Sequence, residues 1–217
     1  MRISTVVLLT AALLLTGTAV MAQDTINNTW VGMTGLAISP SADTAPALEF
    51  IGSFNYIDTD GDSTEIFSAI FGLTDNFEVG LASLDAGGSS ETIGNLKYNF
   101  DLAELAGGPT PAQLAIGVWD LGDEIDRAWY VVVSDDFRGS TQNARWSVGL
   151  AGSDGGILDG LFGGVEFDVS EQGLIQIDYD SDNLNAAYRH RVSDRFGVGL
   201  GIVDGDPALN AAYNTGF

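Results

Sequence analysis

From Ala47 to Phe217, apolar side chains return at every second position in short runs separated by turn-forming residues. Twelve runs can be read, at roughly 47–57, 64–71, 76–84, 92–100, 113–120, 127–134, 144–152, 160–169, 173–180, 183–192, 195–203 and 208–217. Between them lie "DTDGDS", "LTDN", "DAGGSS", "LGDEID", "DDFRGSTQN", "SDGGILDG", "SEQG", "DSD", "SDR" and "DGDP". These stretches carry the Gly, Asn, Asp and Ser that tight turns require. One longer break, "DLAELAGGPTPAQ", predicts a helical turn before its two prolines. A period of two marks β-strands, and short, evenly spaced strands predict an antiparallel sandwich or barrel. No domain boundary or long linker interrupts the series.

The two faces of the runs decide between sandwich and barrel. One face reads Phe50, Phe54, Tyr56; Phe77, Val79, Leu81; Leu114, Ile116, Val118; Trp146, Val148, Leu150; Phe196, Val198, Leu200, Ile202; and Leu209, Tyr213, Phe217. The other reads Ser53, Asn55; Gly80, Ala82; Asn95, Asn99; Ser147, Gly149; Gly197, Gly199, Gly201; and Asn210, Asn214. Gly, Ala and Asn are poor choices for a strand face open to water. They suit a crowded concave interior, while the apolar face suits lipid. The charged residues Glu49, Glu78, Lys97, Arg145, Glu166, Asp168, Asp178, Arg189 and Arg191 fall on the second face. Inside a barrel they can pair; on the lipid face each would cost about 2–4 kcal/mol at mid-bilayer. The predicted fold is therefore all-β, an antiparallel up-and-down transmembrane β-barrel of about 12 strands over 47–217. A soluble secreted β-sandwich is the lesser alternative.

The two ends of the chain fit that reading. Residues 1–22 hold Arg2, an apolar run from Val6 to Leu15 and a small-residue site at Val20-Met21-Ala22, which predicts a signal peptide cleaved before Gln23. Residues 23–46 are then an N-terminal periplasmic or lumenal segment. At the other end, Tyr213 and Phe217 sit on the alternating last strand and predict an assembly signal for the barrel-insertion machinery. The expected location is the outer membrane, with lipid around the wall.

Charge narrows the function. The formal net charge is −22 and there is no cysteine. Such a surface repels nucleic acid, and no thiol or disulfide chemistry is available. Acids gather in alternate hairpins, at Asp58, Asp60, Asp62; Asp85, Glu91; Asp120, Asp123, Glu124, Asp126; Asp154, Asp159; Asp180, Asp182; and Asp204, Asp206. With a periplasmic N-terminus, that acidic rim faces outward. "DTDGDSTE" opens like a calcium loop, but Ser63 stands where that loop has glycine and Ala69 where it has glutamate, so a solvated hairpin tip is the better reading. His190 is the sole histidine, which leaves no clustered zinc site and no enzyme class supported. The aromatics Tyr56, Tyr98, Phe100, Trp119, Trp129, Tyr179, Tyr188 and Phe196 fall near strand ends and read as interfacial girdles.

"GLAISPSA" (Gly35 to Ala42), "FGLTDNFEVGL" (Phe71 to Leu81), "QLAIGVWDLGDE" (Gln113 to Glu124), "LDGLFGGVEF" (Leu158 to Phe167) and "LIQIDYDSDNLNAAYRHRVSDRFGVGLGI" (Leu174 to Ile202) together resemble the YjbH-like outer-membrane barrel family. The resemblance implies a barrel linked to exopolysaccharide production and offers no catalytic residues. Two classes of function remain. One is a porin-like channel or exopolysaccharide export-associated barrel passing small solutes or glycan, slightly the favoured class. The other is a closed structural barrel with a filled lumen. In either, Lys97, Arg145, Arg189 and Arg191 are expected near Glu49, Glu78, Glu166 and Asp178. No cofactor or metal is expected.

Overall fold

Turn chemistry cuts the alternating sequence into twelve strands, and the computed structural model places them in one closed sheet. It describes residues 28–59, 62–102, 112–137, 143–153 and 158–216. The segment read as a signal peptide, most of the "DLAELAGGPTPAQ" break, and Asp60, Asp154 and Phe217 lie outside the described residues. The strands are β1 (Phe50–Thr59), β2 (Asp62–Thr74), β3 (Phe77–Ala86), β4 (Ser89–Asp101), β5 (Gln113–Trp119), β6 (Ala128–Asp136), β7 (Ala144–Gly152), β8 (Gly160–Ser170), β9 (Gly173–Tyr179), β10 (Leu184–Ser193), β11 (Phe196–Val203) and β12 (Asp206–Asn214). Each pairs antiparallel with its sequence neighbours. β1 closes the ring on β12, with Asn55 opposite Asn210 and Ser53 opposite Ala212. Closure leaves no edge strand unpaired, which rules out the sandwich.

Local chemistry explains the turns and the strand limits. Gly87 and Gly88 both have positive φ, as do Asp204 and Gly205. Two such residues in a row give a two-residue hairpin turn whose twist matches the flanking strands. β1 begins at Phe50, later than the alternation suggests, because Leu48 sits at φ 66° and cannot continue an extended strand. Instead the Leu48 N–H donates to the Gly72 carbonyl, which ties the chain to β2 before the barrel begins.

Phe67, Leu81, Trp129, Leu150, Leu161 and Leu209 are each more than half exposed, and they come from strands all round the ring. A continuous apolar outer belt of this kind is unfavourable in water and matches a hydrocarbon surrounding.

The inward face has two layers. Toward the end with the acidic hairpins it is apolar, with Ile66, Ile93, Trp119, Tyr130, Val132 and Phe162 buried in one cluster. Toward the end where β1 begins it is polar, with Ser53, Ser68, Glu78, Lys97, Asn99, Ser134, Ser147 and Glu166 all buried. β9 and β10 break the layering with Asp178, Asp180 and Asn185 close to the acidic end. Trp119 corrects the girdle expectation: it is fully buried on the lumen side, not at the lipid interface. The cause is parity, since Ala115 and Trp119 share the inward face of β5 while Ile116 points out.

Candidate functional site

What fills the lumen is the chain's own N-terminal segment. Residues 28–42 are buried throughout. The segment folds on itself through two antiparallel bridges, Asn28 with Thr34 and Gly35 with Pro40. Backbone bonds from Trp30 N–H to the Ala37 carbonyl and from Ser41 N–H to the Thr34 carbonyl tighten it. Its sequence, "NTWVGMTGLAISPSA", has no strand or helix period. A segment this polar in its backbone can be buried only if its N–H and C=O groups find partners, and the wall supplies them.

Asp178 is the clearest example. Its carboxylate accepts the backbone N–H groups of Ala37 at 3.1 Å, Ile38 at 3.3 Å and Ser39 at 2.9 Å. Three successive N–H groups converging on one anion form a nest, here filled by a side chain of the wall. Glu78 works the same way from the other side, accepting Thr34 N–H at 3.1 Å, the Thr34 hydroxyl at 2.8 Å and Ala45 N–H at 2.9 Å. Lys97 ion-pairs with Glu78 at 3.1 Å and donates to the carbonyls of Thr34 and Ser41 and to the Thr34 hydroxyl. Arg189 donates from Nε to Gln176 at 2.6 Å, and from its terminal nitrogens to Asn28, Asn210 and the Leu36 carbonyl. Glu166 accepts from Gln176 at 3.0 Å.

Amides that the charge-centred reading passed over do as much. Asn55 donates to the Trp30 carbonyl, Asn95 to those of Val31 and Gly32, Asn99 to that of Ala42, and Gln176 to that of Gly35. Ser134 accepts the Ala42 N–H at 2.9 Å. The wall thus recognises the segment chiefly through its backbone, while Trp30, Val31, Met33 and Ile38 pack into the apolar layer. Small wall residues make the room. A Cβ added to Gly80 would stand 2.3 Å from the Gly32 carbonyl oxygen, and one on Gly72 would stand 2.0 Å from that of Pro46.

The remaining sequence candidates sit elsewhere or pair differently. Arg145 is opposite Glu166 in the β7–β8 register, yet its ion pairs are with Asp43 at 2.8 Å and Asp136 at 3.1 Å, neither of them an expected partner. Asp43 arrives on the N-terminal segment, so strand alternation gave no sign of it. Arg191 reaches the Glu171 carbonyl at the end turn, at 3.0 Å and in contact with solvent. Glu49 precedes β1 and lies half-buried at the barrel mouth against Gly216. Asp168 is half-buried beside the bulge that ends β8. Tyr213 points outward, 43% exposed, on β12. His190 is half-buried, its Nδ1 3.3 Å from the Tyr188 hydroxyl.

Alternate hairpins, including those with Asp62, Asp123, Asp180 and Asp204, meet at one end of the barrel. Among the described residues, no group of three or more His, Asp or Glu is arranged to hold a metal ion. Burial first, then the charges of Asp180, Asp206 and Asp182, push the Asp204 carboxyl above its ordinary value, while a hydrogen bond with Asn183 pulls it back.

No family model matches this sequence, and no curated protein matches it. Solved structures do share its shape. A KdgM porin aligns over 78% of this chain and 99% of its own, at 9% identity and a TM-score of 0.52. The outer membrane protein Omp33 of Acinetobacter baumannii aligns over 76% and 96%, at 12% identity and 0.42. OprB of Pseudomonas putida, in a low-pH structure, aligns over 76% and 90%, at 10% identity and 0.33. At such identities the likeness to the KdgM porin is one of fold.

Proposed function

We infer that this protein is an outer-membrane β-barrel that is closed at rest, its lumen filled by residues 28–45. One observation carries this reading: wall side chains from β1, β3, β4, β6, β9 and β10 hydrogen-bond the segment's backbone from all sides. A porin-like channel or a glycan-export barrel needs an open path, so a filled lumen favours the closed class. The apolar outer belt supports lipid as the surrounding, and the fold shared with a porin supports the outer membrane as the place. Partners in this reading are outer-membrane lipid and the insertion machinery that would read the last strand. The acidic rim faces the outside of the cell and the barrel mouth at Glu49 faces the periplasm.

Two measurements on one preparation test it. The protein should fractionate with outer membranes and migrate differently on gels before and after heating. In planar lipid bilayers it should pass no steady current. Recovery in the soluble periplasmic fraction would defeat the membrane assignment, and a steady wild-type conductance would defeat the closed state.

A further inference from the structure

We propose, on the basis of that closed-barrel reading, that the barrel is a latent pore: with residues 28–45 withdrawn, the wall becomes a water-filled path for small hydrophilic solutes, cations passing more readily than anions.

The first support is width. The segment crosses the lumen as a folded ribbon, bridged at Asn28–Thr34 and Gly35–Pro40. Two backbones side by side, about 5 Å apart, with their side chains occupy a cross-section of about 10 Å. A lumen that holds them can hold water and a small solute in their place. Twelve strands put the barrel between those small enough to be filled by their own side chains and the wide aqueous porins.

The second support is the pairing of the wall with itself. Lys97 keeps Glu78 at 3.1 Å, Arg189 keeps Gln176 at 2.6 Å, and Gln176 keeps Glu166 at 3.0 Å, all without the segment. Withdrawal therefore wets these groups without stranding a charge in a dry interior, the event that makes broken buried pairs so unfavourable. The partners of Asp178 leave with the segment and acidic hairpins crowd one mouth, so the open path favours cations over anions.

The third support is the way the segment is held. No disulfide fixes it, since the chain has no cysteine. Its holds are all non-covalent: the apolar contacts of Trp30 and Met33, hydrogen bonds with Glu78, Lys97, Arg189 and the wall amides, and the carboxylate of Asp178, which takes three successive N–H groups of the segment. Asp178 is thus one of the latches, beside Glu78, which also takes three hydrogen bonds from the segment.

Gly80→Val tests the proposal. The added Cβ would meet the Gly32 carbonyl oxygen at 2.3 Å, whereas the nearest wall atom is the Asn95 Cβ at 3.3 Å, so the substitution displaces the segment and asks only a small adjustment of the wall. Full-length wild type and variant are compared in planar bilayers in potassium chloride. The expected result is a silent wild type and a variant with steady conductance that is more permeable to potassium than to chloride. A variant that folds, as judged by heat-modifiable migration, and stays silent overturns the latent pore while leaving the closed barrel intact. A wild type that conducts as steadily as the variant contradicts the closed resting state itself, and the latency with it. Should Gly80→Val fail to fold, Asp178→Asn loosens one of the holds without adding bulk. Bursts of current are then expected, and unbroken silence overturns the proposal.

Discussion

At the scale of single residues, Asp178 and Asp204 are both aspartates near the acidic end of the barrel, yet their surroundings give them opposite roles. Asp178 is buried and its charge is matched by three backbone N–H groups. Hydrogen bonds to an ionised group contribute about 1.5–3 kcal/mol each, and an amide in its place keeps only part of them. Asp178→Asn should therefore lower the stability of the folded barrel by about 2–4 kcal/mol, read as a lower temperature for the heat-modifiable gel shift. An unchanged transition would show that the nest does not hold the segment. Asp204 stands among Asp180, Asp182 and Asp206, and its carboxyl is raised above the ordinary aspartate value. A carboxyl raised on folding favours the protonated, folded tip in acid, and that contribution is lost as pH rises through the folded value. Asp204→Asn should leave the tip ordered at neutral pH and flatten its pH dependence just above the ordinary aspartate range. An NMR titration of the Asp204–Gly205 turn that is the same in both proteins would refute this.

At the scale of elements, β3 and β4 carry a deeply buried ion pair, Glu78 with Lys97, both under 4% exposed. Removing one partner from a buried pair leaves an uncompensated charge, at a cost of about 3–5 kcal/mol, whereas replacing both can be near neutral. Lys97→Met alone should be strongly destabilising, and Lys97→Met with Glu78→Gln should recover much of the loss. Melting of the three proteins in detergent micelles checks this, and equal loss in single and double variants would contradict it. The strands themselves were legible from period-two alternation and from turn dipeptides such as Gly87–Gly88 and Asp204–Gly205. The partners of the inward charges were not. Arg145 shows why: register placed it beside Glu166, but its ion-pair partner Asp43 lies more than a hundred residues earlier, on a segment without period. Asp178 and Ser39 are 139 residues apart in sequence. One signal of the filling was present. "YVVV" at Tyr130 to Val133 is apolar on both faces, and Ile66, Ile93 and Phe162 likewise point inward. A wall apolar inside as well as outside has something apolar to pack against.

At the scale of the whole molecule, the ring of strands gives the two ends different chemistry. The hairpins with Asp62, Asp180 and Asp204 share one end, and the mouth with Glu49, the Ser193–Phe196 turn and the end of β12 share the other. With the acidic end outside the cell, Cys placed at Ser63 should react with an impermeant thiol reagent on intact cells and Cys at Ser193 should not. The reverse pattern would invert the topology. Between the two ends, residues 28–45 lie inside the folded wall. That placement is tested most directly by a disulfide between segment and wall. The Asn28 Nδ2 and Ser53 Oγ atoms are 3.0 Å apart, and no native cysteine interferes. Asn28→Cys with Ser53→Cys should oxidise to near completion in the folded protein and shift its migration on non-reducing gels. Asn28→Cys with Ser89→Cys, at the β3–β4 hairpin of the opposite end, should stay reduced. A folded Asn28–Ser53 cysteine pair that stays reduced while the Asn28–Ser89 pair links would place the segment outside the lumen and contradict the account.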